Sequence, residues 1–182
     1  MKIIYTKDKE FKTEFENILK RAKSDIKGVS KIVENIIDEI VEDGNEALKR
    51  HIEKFDKWIV KSDDELLISQ DSMKKAYETL DESLKKSLHI AYERIKAYHE
   101  KQLPKSWIDF EENGTILGQK VTAVDRAGLY IPGGKAAYPS SLLMNAIPAK
   151  VAGVKEIVVC TPTPNNEVNE LLLAACHLCG VS

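Results

Sequence analysis

The stretch from Ala127 to Cys160, AGLYIPGGKAAYPSSLLMNAIPAKVAGVKEIVVC, is the most informative part of this chain for its fold class. Two short apolar runs at its ends, Ala127 to Ile131 and Glu156 to Cys160, have the length and composition of buried strands. Between them lies an apolar helical pattern from about Pro139 to Ala152, and a further helix is predicted from about Glu167 to Cys179. Strands that alternate with helices in this way predict an α/β fold with a Rossmann-like parallel β-α-β-α unit.

The turn after the first of these strands is rich in glycine, with Pro132, Gly133 and Gly134 in succession. Glycine lets the backbone approach a ligand closely, so that successive N–H groups can point at a phosphate or carboxylate near the start of the next helix. The run is not a Rossmann G-x-G-x-x-G fingerprint, and it is not a P-loop, because Leu129 stands where a P-loop needs glycine. Spacing alone leaves two alternatives open, a ligand-binding loop and a sharp turn without a ligand.

The predicted helix at 139–152 is apolar nearly all round, so it must be covered on more than one side. Pro139 suits its first turn, because proline has the backbone angle of a helix start. Pro148 lies inside the pattern, and we expect it either to kink the helix or to end its first stretch.

Residues 1–120 are predicted to form a helical segment that ends in a small β-hairpin. Apolar residues at helical spacing from Val29 to Val41 predict an amphipathic helix, and Gly44 is a natural stop for it. Another helical pattern runs from about Met73 to Ile95. Two strand-like runs then flank Asn113-Gly114, a pair typical of a type I′ hairpin turn.

Charge divides the chain near residue 120, since only eight of its charged residues lie in 121–182. We therefore expect a helical N-terminal segment with the hairpin at 1–120 and the first half of a nucleotide-binding α/β domain at 121–182. This second part looks truncated, because Val181-Ser182 stands where the next strand would begin and a parallel sheet needs several strands to bury its helices. The alternative is a complete small domain that takes extra strands from its own hairpin or from a second subunit.

The overall composition argues against several classes of protein. Lys plus Arg (27) nearly balance Asp plus Glu (29), so no net field would concentrate a polyanion, and nucleic acid is not expected as a partner. No run approaches the roughly 20 apolar residues of a membrane span, and the N-terminus lacks the apolar core of a signal peptide. Three cysteines fit a reducing compartment better than a disulfide framework. We expect a cytoplasmic protein without a membrane partner.

The segment Cys176-His177-Leu178-Cys179 has the C-x-x-C spacing of zinc sites and redox dithiols. It falls in the last turn of an apolar helix, and Cys160 is the only other cysteine, so no second ligand pair is available. Buried packing is therefore the preferred interpretation, and no metal ligand is assigned to this chain.

The run GLYIPGGKAAYPSSLLMNAIPAKVAGVKEIVVCTP, residues 128–162, resembles the signature stretch of the histidinol dehydrogenase family nearly residue for residue. The resemblance extends upstream to VENIIDEIVEDGNEALKRHIEKFD at 33–56, to Tyr98-His99-Glu100-Lys101-Gln102 and to Gly118-Gln119. It covers most of the chain and corresponds to the N-terminal portion of the family. Departures are small: Asn45, Ala123 and Ala127 stand where Asp, Pro and Val are common, and none of these positions has a catalytic role in the family.

The resemblance implies an enzyme that oxidises L-histidinol to L-histidine through bound histidinaldehyde, with two hydrides passing in succession to NAD. Family members also need zinc, act in histidine biosynthesis and form intertwined homodimers. Their zinc ligands and their Glu-His acid/base pair lie in segments that would follow residue 182, so no catalytic residue is assigned here. The resemblance therefore implies that these 182 residues alone are inactive. The alternative function is a non-catalytic module that dimerises or contacts a nucleotide.

One cofactor contact of the family has a counterpart in this chain. The tyrosine of the family's G-L-Y-x-P-G-G run is Tyr130, so the resemblance implies that Tyr130 contacts NAD. Pro132, Gly133 and Gly134 would shape the loop beside it, an inference from their position in the motif and from glycine chemistry. The alternative for Tyr130 is a tyrosine packed in the core.

Overall fold

The computed structural model describes residues 3–21, 26–133 and 138–182. The chain forms two compact units, residues 1–51 and residues 52–182. The domain boundary that composition predicts at residue 120 falls inside the second unit and stays a prediction. The α/β class is confirmed: helices come first along the chain, then a small antiparallel hairpin, then a parallel β-α-β-α unit.

The first unit is helical. It contains α1 (Phe11–Arg21) and α2 (Ile26–Asp43), and α3 (Asn45–Asp56) begins in it. The apolar stripe predicted on residues 29–41 lies on α2, and Gly44, with φ +59, separates α2 from α3 as predicted. Much of this stripe is exposed, and Val41 is 80% exposed. An isolated amphipathic helix gains little from such a stripe unless something covers it.

The second helical pattern is two helices, so the prediction of one run from Met73 to Ile95 was wrong. Helix α4 spans Gln70–Thr79 and helix α5 spans Glu82–Glu100. Asp81 separates them, because its side chain accepts hydrogen bonds from the N–H groups of Ser83 and Leu84 and so starts a new helix. These hydrogen bonds also lower the pKa of the Asp81 carboxyl.

The predicted hairpin is present, with β1 (Trp107–Phe110) antiparallel to β2 (Ile116–Gln119). Its turn differs from the prediction, since a type I′ turn needs positive φ at both central residues and only Gly114 has it, at +85. The Gly114 N–H bonds to the Glu111 carbonyl at 3.0 Å, and the Glu111 N–H bonds to the Thr115 carbonyl at 2.9 Å. This three-residue loop ends on a left-handed glycine, the usual companion of a type I turn.

The parallel unit follows the predicted order. Strand β3 (Arg126–Tyr130) leads through α6 (Pro139–Val151) to β4 (Glu156–Cys160), and α7 (Glu170–Cys179) follows. The two strands pair in parallel, with Ala127 opposite Ile157 and Tyr130 opposite Cys160. Gly180 ends α7 with φ +64, as expected for a left-handed residue just after a helix. The backbone N–H of Ser182 then bonds to the Ile157 carbonyl at 2.8 Å.

Helix α6 is covered on several sides, as its all-round apolar sequence predicts. It packs on α5, on α7 and on both parallel strands. Pro148 lies inside α6, and the helix continues past it to Val151, so the proline does not end it. None of the helices in the described ranges is both long enough and apolar enough to cross a bilayer.

The two faces of the β3–β4 sheet differ in burial. We call one the covered face, formed by Ala127, Leu129, Ile131, Ile157 and Val159. The other is the open face, formed by Arg126, Gly128, Tyr130, Glu156, Val158 and Cys160, which are exposed or half-buried. The core behind the covered face joins helices from both sides of residue 120. Its buried members are Met73, Leu88, Ile131, Leu142, Leu143, Ala146, Ile147, Ile157, Leu172, Ala175, Cys176, Cys179 and Val181.

Candidate functional site

The glycine-rich segment leaves β3 at the carboxyl edge of the parallel sheet, the edge where ligands bind in open α/β folds. Ile131 is fully buried, and its N–H bonds to the Cys160 carbonyl at 2.9 Å, which ties the segment to the end of β4. Tyr130, one residue earlier, points to the opposite face and is 69% exposed. Tyr130 is therefore not a core tyrosine in this structure. Gly134 lies outside the described residues.

Gly133 is a site of close backbone approach, as its residue type predicts. A Cβ at this position would lie 3.2 Å from the carbonyl oxygen of Pro162 and 3.4 Å from the Thr161 hydroxyl oxygen. The loop after β3 is therefore packed directly against the loop after β4, and any larger residue would push the two apart. Here the glycine serves contact between loops, which the sequence could not distinguish from contact with a ligand.

An open cavity of about 800 Å³ lies between these two loops and the start of α7. Pro132 and Gly133 line one side, so two of the predicted site residues lie at the cavity, whereas Tyr130 does not line it. The remaining wall comes from Leu80, from Tyr138 before α6, and from the segment after β4. That segment contributes Thr161, Pro162, Pro164, Asn165, Glu167, Val168, Asn169, Glu170, Leu171 and Leu172.

Two N–H groups at the start of α7, beside this cavity, already donate hydrogen bonds within the helix cap. The side-chain oxygen of Asn169 accepts the N–H of Leu171 at 3.0 Å and the N–H of Leu172 at 3.2 Å. Glu170 lies in the same first turn and complements the positive end of the helix. Helix α6 starts differently, with Pro139 in its first turn and no side-chain cap from Tyr138.

The sequence analysis missed the wall that follows β4. It named the residues on the β3 side, but not Asn165, Glu167, Asn169 or Glu170. A signal was available, because parallel strands joined by a helix place the loops after both strands at the same sheet edge. The sequence Thr161-Pro162-Thr163-Pro164 marks a loop at the end of β4.

The C-x-x-C segment packs in the core, and the preferred interpretation of it is confirmed. Cys176 and Cys179 are buried, and burial raises the pKa of Cys176 to about 12 and that of Cys179 to about 11. The Lys150 ammonium donates to the Cys179 carbonyl at 3.2 Å and opposes part of the rise at Cys179. Within the described ranges, no group of three or more His, Cys, Asp and Glu side chains is arranged to hold a metal ion.

Comparison with known proteins gives one consistent result. The sequence profile of the histidinol dehydrogenase family matches residues 19–182. The histidinol dehydrogenase of Sulfurimonas denitrificans is 68% identical over 177 residues, which are 97% of this chain and 41% of that protein. The enzyme of the same name from Helicobacter hepaticus is 59% identical over 182 residues, 100% of this chain and 42% of that protein. The chain thus spans about two fifths of the length of these relatives.

A solved structure agrees with the sequence matches. The crystal structure of histidinol dehydrogenase from Elizabethkingia anophelis superposes with a TM-score of 0.76 at 28% sequence identity. The superposition covers 84% of this chain and 35% of that one. The likeness therefore extends over most of this chain.

Proposed function

Because this chain belongs to the histidinol dehydrogenase family, we propose that the whole protein oxidises L-histidinol to L-histidine by way of histidinaldehyde. Two hydrides pass in succession to NAD, and the reaction belongs to histidine biosynthesis. The match over residues 19–182 is the observation that carries this proposal. We further propose a zinc requirement, a homodimer and a cytoplasmic location for the whole protein, each by analogy with the family.

Within this chain, we propose that Tyr130, Pro132, Gly133 and Gly134 form part of the NAD site. NAD would supply the hydride acceptor, and these residues would bind and orient it. Three features support the proposal: the segment lies at the carboxyl edge of the sheet, Tyr130 is 69% exposed there, and Pro132 and Gly133 border a cavity.

The residues behind the loop would hold it in place. Ile131 is anchored both by complete burial and by its hydrogen bond to Cys160, so the backbone on either side of it has little freedom. Gly133 is held against the Thr161–Pro162 backbone by direct packing. A ligand that contacts Tyr130 and Pro132 would thus meet residues 130–133 already positioned by the core, which lowers the entropy lost on binding.

The described residues do not fit a zinc site, since they hold no cluster of three or more suitable side chains. No step that involves zinc follows from this chain, and no acid/base pair is assigned to it. We therefore propose that the 182 residues by themselves do not oxidise histidinol.

Histidinol-dependent NADH formation, followed by absorbance with zinc supplied, tests the function. We expect activity from the whole protein and none from the 182 residues. Replacement of Tyr130 by Ala in the whole protein should weaken NAD binding roughly tenfold or more, the loss of one well-placed aromatic contact. Tyr98→Ala is the matched control, because Tyr98 is similarly exposed, at 62%, and lies on α5 away from the cavity. Equal effects of the two substitutions would contradict the NAD contact.

The alternative function is a non-catalytic module that dimerises. Exposed apolar residues favour it, both on α2 and on the hairpin, where Trp107 is 54% and Phe110 67% exposed. Sedimentation of the purified 182 residues combined with the activity assay separates the two. A dimer that lacks activity beside an equally inactive whole protein would favour the module.

A further inference from the structure

The tip of the hairpin carries a pair of residues with an intrinsic chemical reactivity. Asn113 is followed by Gly114, and both lie exposed in the loop between β1 and β2. The backbone nitrogen of the residue after an asparagine can attack the carbonyl carbon of the asparagine side chain, because the two groups are close enough to close a succinimide ring. A side chain on that next residue crowds the approach, and glycine has none.

The other asparagines of the chain are less suited to this reaction. Of the eight asparagines in the sequence, Asn113 alone precedes a glycine, and the others precede Ile, Glu, Ala or Asn. Four of the others lie in α-helices: Asn17, Asn35, Asn45 and Asn145. At Gly114, by contrast, an added Cβ would meet no atom within 4 Å, so the space beside its backbone is open to water. The sequence and the structure therefore single out the same position.

Hydrogen bonds of the loop hold both of the reacting groups. The N–H of Gly114 donates to the Glu111 carbonyl oxygen at 3.0 Å. The side-chain oxygen of Asn113 accepts the Thr115 N–H at 2.7 Å, and its side-chain nitrogen donates to the Glu111 carboxylate at 3.2 Å. Attack requires these groups to leave their partners. Because residues 111–115 are all exposed, water competes for each bond, so the loop restrains the reaction without preventing it.

We propose that Asn113 is a site of spontaneous deamidation, and that the folded hairpin loop sets its rate. The Gly114 nitrogen gives up its proton and bonds to the side-chain carbonyl carbon of Asn113. The side-chain nitrogen takes up a proton and leaves as ammonia, which produces the succinimide. Water then opens the ring at either of its carbonyl groups and leaves aspartate or isoaspartate at position 113. The reaction needs water alone, and the inference does not depend on the function proposed above.

The modification would change both the charge and the backbone of the turn. Glu111 and Glu112 already place two carboxylates in this loop. An aspartate at position 113 would lose the hydrogen bond to the Glu111 carboxylate and put a further negative charge beside it. An isoaspartate would lengthen the backbone by one methylene group between Glu111 and Thr115, whose N–H and carbonyl groups bond at 2.9 Å. Both products therefore loosen the hairpin, and they accumulate with the age of the protein.

The test is incubation of the whole protein in mildly alkaline buffer, followed over time by mass spectrometry of its tryptic peptide 106–120. Trypsin cleaves after Lys105 and Lys120, and Asn113 is the single asparagine between them. We expect Asn113 to convert at least about tenfold faster than any other asparagine, because only its neighbour lacks a side chain. A synthetic peptide of the same residues should convert roughly tenfold faster again, since it lacks the hydrogen bonds of the folded loop. Both aspartate and isoaspartate should form.

Glu111→Ala and Glu112→Ala form a matched pair, because each removes one exposed carboxylate from the same loop. Of these two side chains, that of Glu111 accepts the hydrogen bond from Asn113. Glu111→Ala should therefore raise the rate of conversion about fivefold, whereas Glu112→Ala should change it by less than about twofold. Circular dichroism should show both variants folded.

The outcomes that would overturn the proposal concern its two parts. Asn113 that stays intact while the free peptide converts would overturn the modification site. Aspartate that forms without isoaspartate would overturn it as well, because both products arise when a succinimide opens. Equal rates in the folded protein and the free peptide, or equal rates in the two glutamate variants, would overturn the control of the rate by the loop.

Discussion

The covered and open faces of the β3–β4 sheet come from the same eleven residues, yet they have opposite properties. On the covered face, Ile131 and Ile157 are 0% and 2% exposed and pack into one core with the helices. On the open face, Tyr130 is 69% exposed and Gly128 has open space in front of it. Successive side chains of a strand point to opposite faces. Residues that stabilise the core therefore alternate along each strand with residues that are accessible to solvent. The proposed NAD contact therefore lies on the open face, and its neighbours along the strand pack in the core.

The largest contrast between the two faces should be in thiol reactivity. Cys160 lies exposed on the open face, whereas Cys176 and Cys179 lie buried behind the covered face with pKa values raised to about 12 and about 11. Near pH 8 the buried thiols remain protonated, so we expect maleimide to modify Cys160 at least about a thousandfold faster. Peptide mass mapping over time measures this. Comparable rates at all three cysteines would mean that the core behind the covered face opens readily.

Removal of side-chain volume from the covered face should have the next largest effect. Ile157→Ala is expected to lower the free energy of unfolding by about 2–5 kcal/mol, since Ile157 is almost fully buried and leaves a cavity. Val158→Ala, one residue along on the open face, is the control. Its loss of unfolding free energy should exceed that of a typical surface substitution by less than about 1 kcal/mol. Urea unfolding of both variants gives the comparison. If Val158→Ala costs as much as Ile157→Ala, the open face is not open in solution.

A methyl group added at Gly133 should have a moderate effect. Gly133→Ala places a Cβ 3.2 Å from the Pro162 carbonyl oxygen, so the loops after β3 and β4 must separate slightly, at a cost of about 1–2 kcal/mol. Urea unfolding measures this cost, and NAD titration of the whole protein should show weaker binding as well. A variant with unchanged stability and unchanged affinity would show that the two loops are not held in contact.

The smallest effect, and one of opposite sign, is expected at Gly128 on the open face. A Cβ here meets no atom within 4 Å, and the residue does not have positive φ. Gly128→Ala should therefore stabilise the chain by about 0.5 kcal/mol, because alanine restricts the unfolded chain without strain in the folded one. Thermal unfolding would detect the shift. Clear destabilisation would show that something packs closely on this face in solution.

Much of the fold could be predicted from the sequence because its signals are local. The apolar strands, the all-round apolar helix α6 and the glycine stops at Gly44 and Gly180 each follow from a few neighbouring residues. Two local predictions failed for a physical reason. The apolar spacing stays in helical phase across Asp81, so periodicity does not show the break that its side chain creates. The pair Asn113-Gly114 suits more than one hairpin loop, and only Gly114 takes the left-handed conformation.

The candidate site could be predicted only on its β3 side. The glycine-rich run and the resemblance both point to Tyr130, Pro132 and Gly133, which are close in sequence. The opposite wall, with Glu167, Asn169 and Glu170, is about thirty residues further along the chain. These residues come near the glycine-rich loop only because β3 and β4 pair in parallel. The sequence also could not show that position 133 requires a glycine, since the close contact there is with Pro162, a residue distant in sequence.

Residue types and their short-range spacing were enough to identify the family and the order of strands and helices. They also predict that residues 130–134 form part of a nucleotide site, and this stays a prediction. Two features became visible only in the folded chain: which face of the sheet is covered, and that the segment after β4 lies opposite Pro132 and Gly133 at the cavity. The reason is that burial and charge proximity are properties of pairs of segments. Such pairs come together only when β3 and β4 align in parallel and the helices pack against one of their faces.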